Sequence, residues 1–135
     1  GAASPSPVEL LDLYPTLAEL CGLAKPTHLE GASLVPALED PGVRVKPFAI
    51  TQHPRPAYYT GQEPEVMGYS LRTRHHRYTE WRNWRTGEIV ARELYDHDND
   101  PGENKNIAAE SARQVQLLSI KLAKVHPVRR HPAAD

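Results

Sequence analysis

The chain has 135 residues, with 16 Lys and Arg against 17 Asp and Glu. This balance excludes the strongly basic footprint of a nucleic-acid-binding protein, and the sequence lacks the run of about 18 apolar residues that a membrane-spanning helix needs. We therefore predict neither a nucleic-acid partner nor a membrane. The single cysteine, Cys21, excludes an internal disulfide and a cysteine zinc cage.

The first predicted element is a helix over residues 7–22. Residues 6–9, Ser-Pro-Val-Glu, have the form of a capping box with proline in the first turn, and Gly22 is a natural stop. The apolar residues between them cover a broad stripe, so this helix should pack against something large. Pro15 interrupts the pattern, and the helix therefore either kinks or restarts with Asp12 as a new cap.

A short helix or helical turn is predicted over residues 31–38, capped by Ser33, and a polar connector follows. The β-branched and aromatic content of residues 47–53 predicts a strand that Pro54 ends. Residues 54–66 contain three prolines and a glycine, which predicts a long loop of the kind that is often functional or disordered.

An antiparallel meander comes next. Apolar and polar residues alternate over 67–72, and residues 77–82 and 89–95 supply two partner strands separated by turns at 74–76 and 86–88. Residues 110–125 repeat apolar positions at three- and four-residue spacing, which predicts a helix covering one face of the sheet. Pro127 ends that helix, and residues 127–135 are expected to be a flexible tail.

These elements predict an α+β protein in two parts. Residues 1–46 form a helical segment, and residues 47–126 form a small antiparallel sheet with a helix packed on one face. The helical segment carries more apolar surface than it can bury alone. It is therefore expected to belong to a larger core.

The best candidate binding residues are Gln52, His53 and Arg55. A strand delivers an amide, an imidazole and a guanidinium into a proline-stiffened loop that continues to Tyr58 and Tyr59, which suits recognition of an anionic sugar or a sulfate. The alternative is that Arg55 forms a salt bridge that ties the loop to its own core. Both interpretations stay open at this point.

A metal site is not predicted. Asp96, Asp98 and Asp100 alternate like the first calcium ligands of an EF-hand, but Pro101 and Ile107 stand where that loop needs glycine and glutamate. These aspartates are instead expected to form Asx turns, and the histidines lack the paired spacing of a zinc site.

Two further patterns bear on chemistry. An aromatic and basic cluster could stack on a sugar ring or contact nucleic acid, or could simply pack in the core or a hairpin; its members are Trp81, Arg82, Trp84 and Arg85. The sequence contains no nucleophilic serine elbow, phosphate-binding glycine loop or Cys-His pairing. No catalytic residue is therefore predicted in this chain.

Three segments, in the same order, resemble motifs of the formylglycine-dependent (type I) sulfatases. They are VELLDLYPTL at residues 8–17, LEGASLVPAL at 29–38 and ELYDHDNDPGENKNIA at 93–108. Residues 52–56, 67–73 and 77–81 are most similar to the iduronate-2-sulfatase branch of that family, including its bacterial relatives. The resemblance covers nearly the whole chain.

The resemblance implies an alkaline-phosphatase-like α/β core whose last helix is residues 7–22, followed by a C-terminal subdomain. It also implies a calcium ion and a formylglycine made from a cysteine, both expected in a missing N-terminal portion, because Cys21 lies outside the modification motif. The chain alone is expected to be inactive. Its expected partners are the catalytic N-terminal portion and a sulfated saccharide containing uronic acid.

By the same resemblance, the expected location is extracytoplasmic, meaning periplasmic, secreted or lysosomal. The competing hypothesis is a stand-alone, non-catalytic module that binds carbohydrate or protein. The helix at residues 7–22 separates the two hypotheses, since an independent module has no reason to carry a helix that is apolar over so much of its circumference.

Overall fold

The protein is described from a computed structural model that covers residues 1–57 and 63–128. The chain divides into two compact units, the first comprising Gly1–Ala49 and the second beginning at Ile50. Among the described residues, no helix has both the length and the apolar character that crossing a membrane requires.

The first unit is built on short helices. A single 3-10 turn, Leu10–Asp12, leads into α1, Leu13–Leu20, and α2 spans Val35–Glu39. The predicted start at Ser6 is wrong, because Glu9 and Asp12 form the capping box. The predicted restart is confirmed in position, since Asp12 is the N-cap residue of α1, but the Asp12 side chain makes no capping hydrogen bond to that helix. Pro15 then lies in the first turn, where its missing N–H breaks no helical hydrogen bond.

The cap of α2 also differs from the prediction. Its N-cap is Leu34, without a side-chain cap. The Ser33 hydroxyl accepts the Val35 N–H at 3.3 Å, but Ser33 lies one residue before the N-cap. The sequence pattern located the helix correctly, but the helix begins one residue later than a Ser33 cap predicts.

The carboxylate of Asp12 organises the first unit. It is fully buried, and Oδ1 accepts the Ala32 N–H at 2.9 Å and a Lys46 Nζ hydrogen bond at 2.7 Å. Oδ2 accepts the Glu9 N–H at 2.8 Å. Burial alone would raise the pKa of this carboxyl, but the bonds from Lys46 and the two backbone donors together hold the pKa below its usual value.

Many apolar side chains of the first unit face outward. Leu10 is 87% exposed, which is extreme for a leucine beside a helix. Others on the same segment are also exposed: Val8, Leu11, Leu13, Tyr14, Leu17 and Leu20. A folded protein rarely leaves so many large apolar side chains of one short segment exposed to water.

The second unit contains a four-stranded sheet in the order β1-β2-β3-β4. The strands are β1 (Ala49–Arg55), β2 (Val66–Arg72), β3 (His76–Asn83) and β4 (Ile89–Asp96), and the helix α3 spans Ala112–Val125. Strand β3 pairs antiparallel with both β2 and β4. The predicted α+β fold, a meander followed by a C-terminal helix, is confirmed.

Strand β1 has the predicted length of seven residues but lies two residues further along the chain. It begins at Ala49 and not at residue 47, and it continues through Pro54 to Arg55 instead of ending at His53. β1 is an edge strand, and an edge position tolerates proline because a missing N–H on the outer side removes no ladder hydrogen bond. This extension brings Arg55 into the regular alternation of the strand.

Helix α3 covers one face of the sheet. The core between them is apolar, and its fully or nearly fully buried members are Leu71, Tyr78, Leu94, Leu118 and Leu122. An ion pair lies on the same face, with Arg82 NH2 2.7 Å from Glu80 Oε2. The opposite face of the sheet therefore carries the other half of each strand's side chains.

Candidate functional site

A cavity of about 330 Å³ opens on the face of the sheet that α3 leaves uncovered. All four strands contribute to it through alternate residues, as the two-residue period of a strand requires. The lining residues are Thr51, His53, Arg55, Gly68, Ser70, Arg77, Thr79, Trp81, Glu93, Tyr95 and Glu103. Charged, aromatic and hydroxyl groups converge here, which makes this cavity the candidate site.

An arginine stacks on a tryptophan at one end of the cavity. The Arg55 guanidinium carbon lies 3.7 Å from the centroid of the Trp81 ring, within cation–π range. The indole Nε1 donates to Glu93 Oε1 at 2.8 Å, so the ring is held from its edge. Tyr95 donates to the other Glu93 oxygen at 3.4 Å. Burial, and then the Glu93 charge, raise the pKa of Tyr95.

A second charged group stands further along the same face. Glu103 Oε1 lies 2.8 Å from Arg77 Nε and 2.5 Å from His97 Nε2. Glu103 has φ of 54°, in the left-handed region that non-glycine residues rarely occupy. Such a backbone conformation persists where surrounding contacts hold it, and here the Glu103 carboxylate lies between the Arg77 guanidinium and the His97 imidazole.

His53 and Arg55 differ from Glu93 and Glu103, whose carboxylates already have partners. Within residues 1–57 and 63–128, neither the His53 nor the Arg55 side chain forms a hydrogen bond or ion pair. The predicted alternative for Arg55, a salt bridge to its own core, is thus not seen in that part of the chain. Its contact is the Trp81 face, which leaves the N–H edge of the guanidinium available to an anion.

Gln52 does not join them. Its Nε2 lies 3.5 Å from both ring nitrogens of His126, at the end of α3. Strand parity explains the separation, because Gln52 and its neighbour His53 point to opposite faces of β1. The structure brings His53 and Arg55 together and places Gln52 on the helix side. Tyr58 and Tyr59 lie outside the described residues.

The aspartates of the turn after β4 serve the backbone. Asp96 accepts from the Asn99 side chain and the Asp98 N–H, and these bonds lower its pKa. Asp100 accepts from the Lys105 N–H and the Asn104 side chain, which lower its pKa in the same way. In the part of the chain that the structure describes, no group of three His, Cys, Asp or Glu side chains could hold a metal.

The predicted aromatic and basic cluster is divided in the structure. Trp81 lines the cavity, whereas its neighbour Arg82 is 3% exposed on the opposite face beside Glu80. Arg85 is exposed and pairs with Glu63 at 3.0 Å. Alternation along β3 separates adjacent residues, so closeness in sequence does not make this a single binding surface.

Sequence reasoning missed Gly68, Glu93 and Glu103 as members of the site. Gly68 lies opposite Trp81 in the β2–β3 pairing, and a Cβ there would lie 2.7 Å from Cζ3 of the indole. The alternation of Gly68 with Met67 and Tyr69 was a signal for its face, but the strand register was needed to place it against Trp81.

The 93–108 segment builds the outer edge of β4. Asn106 Oδ1 accepts the Leu94 N–H at 3.0 Å, and its Nδ2 donates to the Arg92 carbonyl at 3.2 Å. Asn106 Oδ1 also accepts the Ala108 N–H at 3.0 Å. The motif is therefore a structural element that finishes the sheet.

The sheet, its covering helix and this edge motif together define the C-terminal domain of a sulfatase. Residues 2–127 match the family described as "N-sulphoglucosamine sulphohydrolase, C-terminal", and the chain belongs to that family.

Curated relatives support the assignment. The chain is 31% identical over 120 residues to arylsulfatase K of Xenopus laevis, covering 87% of this chain and 22% of that protein. It is 33% identical over 149 residues to iduronate 2-sulfatase of Mus musculus, covering 84% and 27%. It is 35% identical over 102 residues to delta 4,5-hexuronate-2-O-sulfatase of Bacteroides thetaiotaomicron, covering 74% and 19%.

Solved structures show the same fold. BT4656, solved in complex with its substrate D-glucosamine-2-N,6-O-disulfate, superposes with a TM-score of 0.66 at 28% identity, over 84% of this chain and 23% of that one. BT1596, a 2-O GAG sulfatase, gives 0.66 at 29% identity over the same shares, 84% and 23%. The chain thus spans between 19% and 27% of the length of the curated relatives named above.

Proposed function

We propose that this chain is the C-terminal portion of an iduronate-2-sulfatase-like enzyme that hydrolyses sulfate esters on glycans containing uronic acid. In this proposal the second unit completes the fold and contributes one wall of the substrate cleft. The observation that carries it is the Arg55 guanidinium, which lines the cavity with His53, stacks on Trp81 and forms no hydrogen bond or ion pair with the described residues. The names of the relatives, which include a hexuronate sulfatase, support the substrate class.

The chemistry of the wall fits an anionic saccharide. A guanidinium presents several N–H donors in a plane and can bind a carboxylate or sulfate through two parallel hydrogen bonds. Around Arg55 stand sugar-compatible hydroxyls and an imidazole, from Thr51, Ser70, Thr79 and His53. These groups bind and orient the saccharide and perform no bond-breaking step.

Bond cleavage belongs to the portion that precedes this chain. The overall reaction adds water to a sulfate ester and releases an alcohol and sulfate. Calcium and formylglycine, which the family resemblance implies, would supply the electrophilic clamp and the nucleophile there. The described residues of this chain offer no ligand cluster for calcium. No step is therefore assigned to calcium or formylglycine in this chain.

The proposed partner of the first unit is that same catalytic portion. Its exposed apolar side chains, with Leu10 at 87% and Leu17 at 60% exposure, match the contact surface of a helix that closes a larger core. This supports an enzyme portion over a stand-alone binding module. By the family resemblance we place the whole enzyme outside the cytoplasm.

The test is Arg55→Ala in the full-length enzyme, with Arg85→Ala as the matched control. Arg85 is an exposed arginine paired with Glu63, away from the cavity. If Arg55 contacts substrate, its loss should lower kcat/KM for a sulfated uronate disaccharide about 30-fold, since truncating one member of a buried charge contact costs at least about 2 kcal/mol.

Thermal stability distinguishes contact from bracing. For a substrate contact, Tm should move by less than about 2 °C in Arg55→Ala. A fall of Tm without a fall in kcat/KM assigns Arg55 to bracing the loop and contradicts the proposed wall. A wild-type enzyme that releases no sulfate from the disaccharide contradicts the proposed activity itself.

A further inference from the structure

We propose that Trp81 is a positioning residue for Arg55, and that Glu93 and Gly68 set the orientation of Trp81. This inference rests on the proposed function, because it takes Arg55 as the group that contacts the saccharide. It specifies how residues of the sheet orient the Arg55 guanidinium. Trp81 itself is only 8% exposed, so it offers little surface to substrate.

The geometry begins with strand order. β1, which carries Arg55, and β3, which carries Trp81, are separated by β2 and share no ladder. Contact between the two side chains must therefore pass over β2. The residue of β2 that faces Trp81 is Gly68, and a Cβ added to it would meet the indole at 2.7 Å. The missing side chain lets the ring lie over β2 and reach Arg55.

The edge of the indole is fixed as well. Nε1 donates to Glu93 Oε1 at 2.8 Å, which ties Trp81 to the adjacent strand β4. The ring therefore lies over Gly68, which has no side chain, and its Nε1 edge is held by the Glu93 carboxylate. Its face meets the guanidinium at 3.7 Å. Stacking restrains the plane of the Arg55 guanidinium without using its N–H donors, which lowers the entropy lost when an anion binds.

The proposal explains why the ring is not a sugar platform. Saccharide-binding tryptophans present an open face, whereas the face of Trp81 toward the cavity is occupied by Arg55. Trp81 therefore acts through Arg55. Removing the indole should make the Arg55 guanidinium more mobile and weaken substrate binding. When Arg55 is already absent, removing the indole should have no further effect.

A double-mutant cycle in the full-length enzyme tests this. The variants are Trp81→Leu, Arg55→Ala and the pair together, with kcat and KM measured on a sulfated uronate disaccharide. We expect Trp81→Leu to lower kcat/KM about fivefold, mainly through KM, because a cation–π contact to an exposed arginine is worth up to about that factor in binding. In the Arg55→Ala background, the same change should have less than about a twofold effect.

The conservative variant and the control sharpen the result. Trp81→Phe keeps a ring under Arg55 and loses the Glu93 hydrogen bond, so it should recover only part of the binding lost in Trp81→Leu, and the remaining increase in KM reports the orienting role of Glu93. Trp84→Leu, at the other tryptophan, lies outside the cavity lining and should leave KM within about twofold of wild type. Trp81→Phe also provides a reading if Trp81→Leu does not fold.

Two results overturn the inference. One is additivity, in which Trp81 and Arg55 losses multiply and Trp81 therefore acts independently. The other is a wild-type KM in Arg55→Ala, which removes the group that Trp81 is said to position. Either can occur in an active sulfatase, so each is distinguishable from failure of the proposed function, which would show as absent sulfate release by the wild-type enzyme.

Discussion

Asn106 pairs with Leu94 as a neighbouring strand would. Its Oδ1 accepts the Leu94 N–H at 3.0 Å, and the Leu94 carbonyl accepts the Ile107 N–H at 2.9 Å. β4 is an edge strand, and this side chain satisfies backbone groups that would otherwise be open to pairing with another chain.

The first prediction follows from that pairing. Asn106→Ala removes the acceptor for the Leu94 and Ala108 N–H groups and the donor to Arg92. We expect the free energy of unfolding to fall by about 2 to 3 kcal/mol, because three hydrogen bonds are lost and each contributes about 1 kcal/mol net. Denaturant unfolding of the purified protein measures it. Asn99→Ala, in the exposed turn, is the control and should cost under about 1 kcal/mol.

The second prediction concerns Gly68. Gly68→Ala places a methyl group 2.7 Å from Cζ3 of Trp81, so the indole must move. We expect a loss of about 1 to 3 kcal/mol in unfolding free energy, the usual cost of overpacking. Ser70→Ala, on the same face of the same strand, adds no atoms and should cost about 1 kcal/mol or less. Equal stability of Gly68→Ala and wild type would contradict the close approach.

The third prediction concerns the buried ion pair. Glu80 is 1% exposed and accepts from Arg82, Tyr78 and Ser119. Glu80→Ala leaves the Arg82 charge buried and uncompensated, so we expect a loss of about 3 to 5 kcal/mol.

Two comparisons complete that experiment. Replacing Glu80 and Arg82 together by leucine should recover much of the loss, because no unpaired charge remains. Glu110→Ala breaks an exposed pair with Lys105 and should change the free energy of unfolding by less than about 1 kcal/mol. A cost for Glu80→Ala no larger than that of Glu110→Ala would show that Arg82 finds another partner.

The fourth prediction is a dependence on alkaline pH. Burial, followed by the Glu80 charge, raises the pKa of Tyr78 from 10.0 to about 12. Between these values the unfolded chain loses the phenol proton while the folded chain keeps it, so stability present below pH 10 declines as pH rises toward 12. The slope from this group is at most about 1.4 kcal/mol per pH unit.

Tyr78→Phe isolates that contribution. Denaturant unfolding between pH 9 and 12 should show that the free energy of unfolding declines less steeply in the variant than in wild type. The two slopes should differ by no more than about 1.4 kcal/mol per pH unit, the limit for one proton. Ultraviolet titration of the folded protein should lose one late-titrating phenol. An identical pH profile in the two proteins would assign the decline to other groups.

Much of the fold could be predicted because its signals are local. Alternation through Met67, Tyr69 and Leu71 marked β2, and the three- and four-residue spacing around Leu118 and Leu122 marked α3. The strand across Pro54 was missed because proline is excluded from central strands but not from edges, and the sequence alone did not show which strand was an edge.

The site was harder to predict because it depends on register. Gln52, His53 and Arg55 are close in sequence, yet the strand turns Gln52 toward His126 and the other two toward the cavity. Recognising that β1 reaches Arg55 would have separated them by parity alone. The contact of Arg55 with Trp81 needs the order of three strands, which no local pattern contains.

The parity of β1 limits how its sequence can change. Inserting or deleting a single residue between Ala49 and His53 would exchange the occupants of the two faces, sending His53 and Arg55 toward α3 and Gln52 toward the cavity. A change of two residues would keep each side chain on its own face. Length variation in this strand should therefore occur in even steps, or be absorbed by a bulge.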